Sequence, residues 1–335
     1  MSNSESSSPP PWIVNEDELP EESRLVLSSL PREKGWAEPY LYQYQGFWHP
    51  AWQFHLVLDC QKNFRLQDFD VLVASYPKCG TTWLKSLVFS ILNRHRFPPS
   101  GNNHPLVSKN SHELVPCLEL DVDPNNRIPN ISSLDQMRLI STHLPYVSLP
   151  KSALESECKI VYICRNPKDT FVSLWHYMNK LRLPDTGING LEEAFNRFYK
   201  GASVFGPFWD HVLSYWKESL KRPNKVLFLK YEEIRAQTEF HVCRIAEFLG
   251  CPFSPAEGEA DSGSGVVDEI VRLCCFENLS NLEVNKSGKE WTGMEFNVLF
   301  RRAQVDDWKN YLTPEMADQL NHITAGKFHG FGLEL

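Results

Sequence analysis

Four short runs along the chain are apolar at almost every position: DVLVAS (70–75), MRLIST (137–142), KIVYIC (159–164) and KVLFLKY (225–231). A strand covered on both faces reads as a continuous apolar run, whereas one with a solvated face alternates apolar and polar side chains. These four are therefore predicted as buried strands. The stretches between them are long enough for helical crossovers, which predicts a central, mainly parallel sheet flanked by helices, an α/β fold. Apolar positions at helical spacing predict helices near 81–94, 167–181, 190–201, 207–220, 239–249, 265–275 and 314–328, and a short polar helix over 16–30. GFWHPAWQF (46–54) crowds aromatics and a histidine into a segment that fits either core or pocket wall, and DSGSG (261–265) predicts a flexible loop.

The first strand runs directly into YPKCGTTW (76–83). Pro77 stops the strand, Gly80 permits an unusual backbone turn, and Thr81 and Thr82 open a helix whose first N–H groups have no partner within it. Such a helix start attracts anions, and Lys78 adds a full charge beside it. A Walker loop places its Lys after Gly, in GxxxxGK[ST]; here Lys78 precedes Gly80, so the loop is P-loop-like without being a Walker loop. Taken alone, it also reads as a turn whose threonines only cap the helix. RNPKD (165–169) follows the third strand, with Asn166 as N-cap, Pro167 at the first helical position and Asp169 in the first turn. Arg165 at that strand end is able to fork onto an anion, and Ser173 lies about two turns into the helix. His143, in STHLP (141–145), follows the second strand at the carboxyl edge of the sheet, where open α/β folds bind ligands.

Charge narrows the partners: the formal net charge of −8 argues against broad attachment to nucleic acid or anionic lipid, so any anion site is local. No window holds 18 uninterrupted apolar residues, so no membrane span is expected. Nine scattered cysteines without a CxxC pair indicate neither a disulfide framework nor a zinc site and fit a reducing, cytoplasmic compartment. Residues 1–15, beginning MSNSESSSPPP, are predicted as a disordered tail, with 16–335 as a single domain. Cys79, beside Lys78 and a helix start, is a candidate low-pKa, oxidisable thiol or simply a small polar filler.

YPKCGTTW closely resembles the phosphosulfate loop of cytosolic sulfotransferases, commonly YPKSGTTW, and the similarity runs nearly end to end. It includes LPREKGW (30–36), STHLP, CRNPKDTFVSLWH (164–176), GPFWDH (206–211), KYEE (230–233), NLEVNK (281–286) and FRRAQVDDWKNYLTPEM (300–316), and is strongest to the plant soluble branch. The resemblance implies transfer of a sulfuryl group from 3′-phosphoadenosine 5′-phosphosulfate (PAPS) to a hydroxyl of a small apolar acceptor, with 3′,5′-phosphoadenosine (PAP) as product and no metal. It implies His143 as base and Lys78 on the bridging oxygen of the leaving phosphate. Cys79, Gly80, Thr81 and Thr82 would hold the 5′ end, Trp83 and Phe276 the adenine, and Arg165, Ser173, Tyr231, Arg301, Arg302 and Ala303 the 3′-phosphate. Trp48, His49, Cys117, Tyr146, His176 and Tyr177 are candidates for an acceptor pocket suited to a phenolic, flavonoid, steroid-like or hydroxyjasmonate substrate. Several positions depart from the family pattern: Arg302 and Ala303 stand where Lys-Gly is usual, Asp306 where Gly is common, Cys117 for Phe, and Ser141 for a Lys of animal relatives. The dimer segment of those relatives appears only as KNYLTPEMAD (309–318), which leaves oligomeric state open. A P-loop-type nucleotide kinase and a catalytically quiet PAPS- or hormone-binding relative are the alternatives.

Overall fold

The computed structural model describes residues 16–121, 137–183, 186–258, 265–290 and 293–335. The predicted tail and nearly all of the 261–265 loop lie outside the described residues. The four apolar runs form strands β4 (Val71–Ser75), β5 (Leu139–Thr142), β6 (Lys159–Cys164) and β7 (Val226–Lys230), all parallel, in the order β5-β4-β6-β7. Alternation along each strand divides the sheet between two cores. Leu72, Ala74, Ile140, Ile160, Tyr162 and Phe228 enter one; Val71, Val73, Leu139, Val161, Ile163 and Leu229 enter the other. Both faces are covered, which is why every residue of β4 is buried.

In this register Ala74 pairs with both Thr142 and Tyr162, and Cys164 pairs with Lys230. The residues that follow the strands, Tyr76, His143, Arg165 and Tyr231, therefore emerge along one carboxyl edge. β4 lies between β5 on one side and β6 on the other, so the loop after it opens where the sheet's winding reverses. The opposite edge is tied by Asp70, which is fully buried. Its carboxylate accepts from Arg138 Nε at 2.9 Å and Gln67 N at 2.7 Å, while its carbonyl accepts from Lys159 N at 2.9 Å.

A second, three-stranded antiparallel sheet, β1 (Arg32–Lys34), β2 (Tyr40–Tyr44) and β3 (Phe47–Pro50), was not predicted. β1 is wholly exposed and carries no apolar pattern, and the β2–β3 hairpin turns through Gln45 and Gly46, at φ 52° and 84°, instead of the more familiar Asn-Gly. The predicted polar helix over 16–30 is shorter: a 3-10 turn at Glu16–Glu18, then α1 (Glu21–Leu27) after Pro20. The aromatic segment is split between β3 and α2 (Ala51–Asn63). The remaining helices match within a residue or two, among them α3 (Thr81–Asn93) and the helices Pro167–Leu181 and Pro314–Phe328.

Two glycine questions in the sequence have opposite answers. Gly80 is at φ 105°, and a Cβ there would lie 2.8 Å from Tyr231 Cδ2. Ala303 and Asp306, where the resemblance implies glycine, are also in the left-handed region, at φ 52° and 66°. We expect Gly80→Ala to lower the urea unfolding midpoint and Ala303→Gly to raise it, the latter by about 1 kcal/mol of relieved backbone strain; an unchanged or lower midpoint for Ala303→Gly would place the strain elsewhere.

Candidate active site

A cavity of about 260 Å³ opens at the carboxyl edge of the parallel sheet, and most of the predicted site residues line it: Lys78, Gly80, Thr81, Thr82, Trp83, His143, Arg165, Ser173, Tyr231, Phe276, Arg301, Arg302 and Ala303. Lys78 follows β4 with φ 69°, a conformation costly for a side chain with a Cβ and typical of residues held for function. Its ammonium sits over the Tyr177 ring, 4.1 Å from the centroid. Burial pushes its pKa down to about 7, with the charges of Lys180, Arg301 and Arg165 adding to the effect. A bound anion would supply the missing countercharge.

The two threonines have separate tasks. Thr81 is buried, and its hydroxyl lies 2.6 Å from that of Ser75, tying α3 back to the strand end. Thr82 is half-buried at the cavity wall, its hydroxyl 3.0 Å from His112 Nε2. Trp83 meets Tyr231 edge to face at 5.6 Å, and Phe276 lies 6.3 Å from Phe300. Cys79 points away from the cavity into the core, 3.5 Å from Thr170 Oγ1, and burial pushes its thiol up to about 12. That corrects the reactive-thiol expectation, which weighed Lys78 and the helix start but not desolvation.

Behind the loop a second cationic cluster forms. Arg165 stacks on the Tyr231 ring at 4.6 Å, donates to Gln304 O at 2.6 Å, and keeps a buried Nε without a partner among the described residues. Arg301 and Arg302 both reach Asp307, at 2.5 and 2.9 Å. Tyr231 donates its hydroxyl to Ala303 O at 2.9 Å. The segment is clamped by Asp169, whose carboxylate accepts from Asp306 N at 2.8 Å and Trp308 N at 2.9 Å. The sequence placed Asp169 only in the first turn of the helix. Unpaired guanidinium nitrogens beside Ser173 and Tyr231 are the donor set expected of an anion site.

His143 is held from three sides. Its Nδ1 lies 2.8 Å from Ser75 O; a carbonyl only accepts, so Nδ1 carries the hydrogen and Nε2 keeps its lone pair. Its backbone N–H donates to Glu119 Oε1 at 2.6 Å, and its carbonyl accepts from His211 Nε2 at 2.9 Å. Burial lowers its pKa to about 4, reinforced by the charges of Lys85 and Lys78. The imidazole is therefore neutral at pH 7 with an available basic nitrogen.

Of the proposed acceptor residues, Cys117 and Tyr177 line the cavity; Trp48, His49, Tyr146 and His176 do not. Trp48 joins its backbone to Gly206 O, His49 is enclosed against Tyr44 and Phe205, Tyr146 packs on Tyr215, and His176 packs on Trp175 and Tyr311. Proximity to a motif in sequence did not specify the direction of these side chains. The apolar wall comes instead from Trp52, Leu174, Met178, Leu181, Val204 and Phe205. The sequence reading also missed Lys85, His112 and Glu290 in the lining, although Lys85 is the only charged residue in α3.

Comparison with known proteins agrees with this arrangement. A family profile described as "Sulfotransferase domain" matches residues 68–332. Cytosolic sulfotransferase 12 of Arabidopsis thaliana is 47% identical over 99% of this chain and 99% of its own length. The crystal structure of a candidate steroid sulphotransferase of A. thaliana superposes with a TM-score of 0.75 at 41% identity, covering 96% of this chain and 98% of that one. Mouse sulfotransferase SULT7A1, solved with PAP, gives a TM-score of 0.66 at 28% identity over 87% of this chain and 96% of its own. With its phosphate-loop-like turn, its buried cations and this full-length likeness, the chain belongs to the sulfotransferase family, beside the plant cytosolic members.

Proposed function

We propose that the protein transfers the sulfuryl group of PAPS to a hydroxyl of a small apolar acceptor, with His143 as the base that takes the acceptor's proton. The observation that carries this is a neutral histidine, its Nδ1 hydrogen donated to Ser75 O and its Nε2 lone pair retained, lining the same cavity as a buried ammonium and the start of α3. In-line transfer needs alignment and charge stabilisation more than covalent chemistry. Lys78 and the first turn of α3 would stabilise the oxygen that leaves with PAP, while Arg165, Ser173, Tyr231 and Arg301 would anchor the 3′-phosphate. The sulfonate carries less negative charge than a phosphoryl group, so these fixed donors suffice without a divalent cation. The wall of Trp52, Tyr177, Met178, Leu181 and Phe205 suits a flat phenolic, flavonoid, steroid-like or hydroxyjasmonate acceptor. The plant relatives are named as cytosolic enzymes, and we place the activity in the cytoplasm.

The first test is transfer from radiolabelled PAPS to a panel of flavonols, brassinosteroids, phenolic acids and hydroxyjasmonate, with turnover expected to survive EDTA; binding of PAP without transfer to any acceptor would point to a quiet binder. Lys78→Ala and His143→Ala should each lose roughly a hundredfold or more in kcat, and near-native rates in either would remove that residue from the chemistry. The pH profile follows from the two depressed pKa values. His143 must be unprotonated, so kcat/KM should fall as pH drops through about 4; Lys78 must be protonated, so it should fall again as pH rises through about 7. Lys78→Arg keeps the charge at all accessible pH. Its alkaline limb should vanish, and a limb that persists would belong to another group.

A further inference from the structure

Lys85 is buried on an otherwise uncharged helix, in contact with a histidine that the mechanism above does not use. Its Nζ lies 3.2 Å from His112 Nδ1, and His112 Nε2 lies 3.0 Å from Thr82 Oγ1. All three residues line the cavity. The histidine is rigidly placed. It sits in a one-turn helix, Ser111–Leu114, whose N-cap Asn110 forms a reciprocal capping box with Glu113 and hydrogen-bonds Asn285 at 2.7 Å. Ser111 Oγ donates to Thr82 O at 3.2 Å, which fixes that turn against α3.

Hydrogen-bond valence sets the direction of this chain. Burial lowers the Lys85 pKa, and the neighbouring charges of Asp121, Glu290 and Glu119 oppose that shift; as an ammonium Lys85 has donors only and donates to Nδ1. Burial, with the Lys85 charge beside it, holds His112 well below the usual imidazole range, so the ring is neutral. A neutral ring that accepts at Nδ1 carries its hydrogen on Nε2 and donates it to Thr82 Oγ1. The Thr82 oxygen then receives, and its own hydrogen is left for a partner in the cavity. We propose that Lys85 and His112 are positioning residues that fix the Thr82 hydroxyl as a donor to a phosphate oxygen held at the loop. A threonine without this relay would divide its hydrogen among several acceptors. With it, the donor is oriented before the ligand arrives, and the buried charge of Lys85 polarises each bond in line.

This inference rests on the PAPS reading, and PAP binding measured by calorimetry on the full chain tests the two separately. His112→Ala and Lys85→Met should each weaken PAP roughly tenfold or more, as for loss of a hydrogen bond to a charged group. His112→Gln, which can accept from Lys85 and donate to Thr82 through one amide, should stay near wild type. In Thr82→Val, already weakened, adding His112→Ala or Lys85→Met should cost nothing further, because both act only through the Thr82 hydroxyl. A purely structural role would give additive losses and would not be rescued by Gln. Should His112→Ala not fold, the Lys85→Met and Thr82→Val pair carries the same cycle. Unchanged affinity in the single variants, or additive losses in the doubles, overturns the relay alone; a wild type that binds no PAP overturns the donor reading and the relay together.

Discussion

The hydrogen-bond ladders that hold β4 between β5 and β6 fix the positions on which the site depends. Because the three strands run parallel, the chain leaves each of them at the same edge, and Lys78, His143 and Arg165 converge without being near in sequence. The contact between His143 Nδ1 and Ser75 O is a direct product of that alignment: the ring that follows β5 is oriented by the last carbonyl of β4. Asp70 and Arg138 tie the opposite ends of the same strands. A slip of β4 against β5 would therefore move the basic histidine and the phosphate-loop ammonium apart in one step.

Electrostatics at this edge runs against folding. Lys78, Lys85, Arg165 and Arg301 are gathered in a poorly solvated region where like charges repel and burial disfavours the charged form. Part of the cost is offset inside the protein, by Asp307 under Arg301 and Arg302 and by Asp169 beside Arg165. The rest stays uncompensated, in the Arg165 Nε that has no partner among the described residues and in the depressed pKa of Lys78. A polyanion bound at this edge would relieve both together. Burial, reinforced by the same positive charges, lowers the pKa of His143, so the region that would favour a bound anion also keeps this imidazole neutral.

The central sheet was legible because a strand buried on both faces leaves an unbroken apolar run, and the donor loop because its turn, hydroxyls and lysine are contiguous. What escaped was arranged by tertiary contact. β1 to β3 have too little alternation to announce a sheet, and their pairing is set by a Gln-Gly turn. Trp48, His49, Tyr146 and His176 have the right residue types near the right motifs, but strand and helix geometry turns them away from the cavity. His112 carried no signal in the sequence, because its contact with Lys85, 27 positions distant, forms only in the fold. Cys79 shows the limit most plainly: its neighbours in sequence argue for a reactive thiolate, and its neighbours in space desolvate it.

The loop that follows Phe300 shows how a fold holds a conformation when the residue best suited to it is missing. Ala303 and Asp306 adopt left-handed backbone angles that glycine would take at little cost. Local preference does not select this path. Contacts from outside the loop impose it: Tyr231 holds the carbonyl of Ala303, Arg165 holds that of Gln304, and Asp169 holds the N–H groups of Asp306 and Trp308. Two side chains that line the cavity, Tyr231 and Arg165, therefore also hold this strained segment in place, together with Asp169. Departure from glycine here costs stability and leaves the path of the backbone intact, since that path is set by Tyr231, Arg165 and Asp169, all anchored at the ends of β6 and β7 or in the helix after β6.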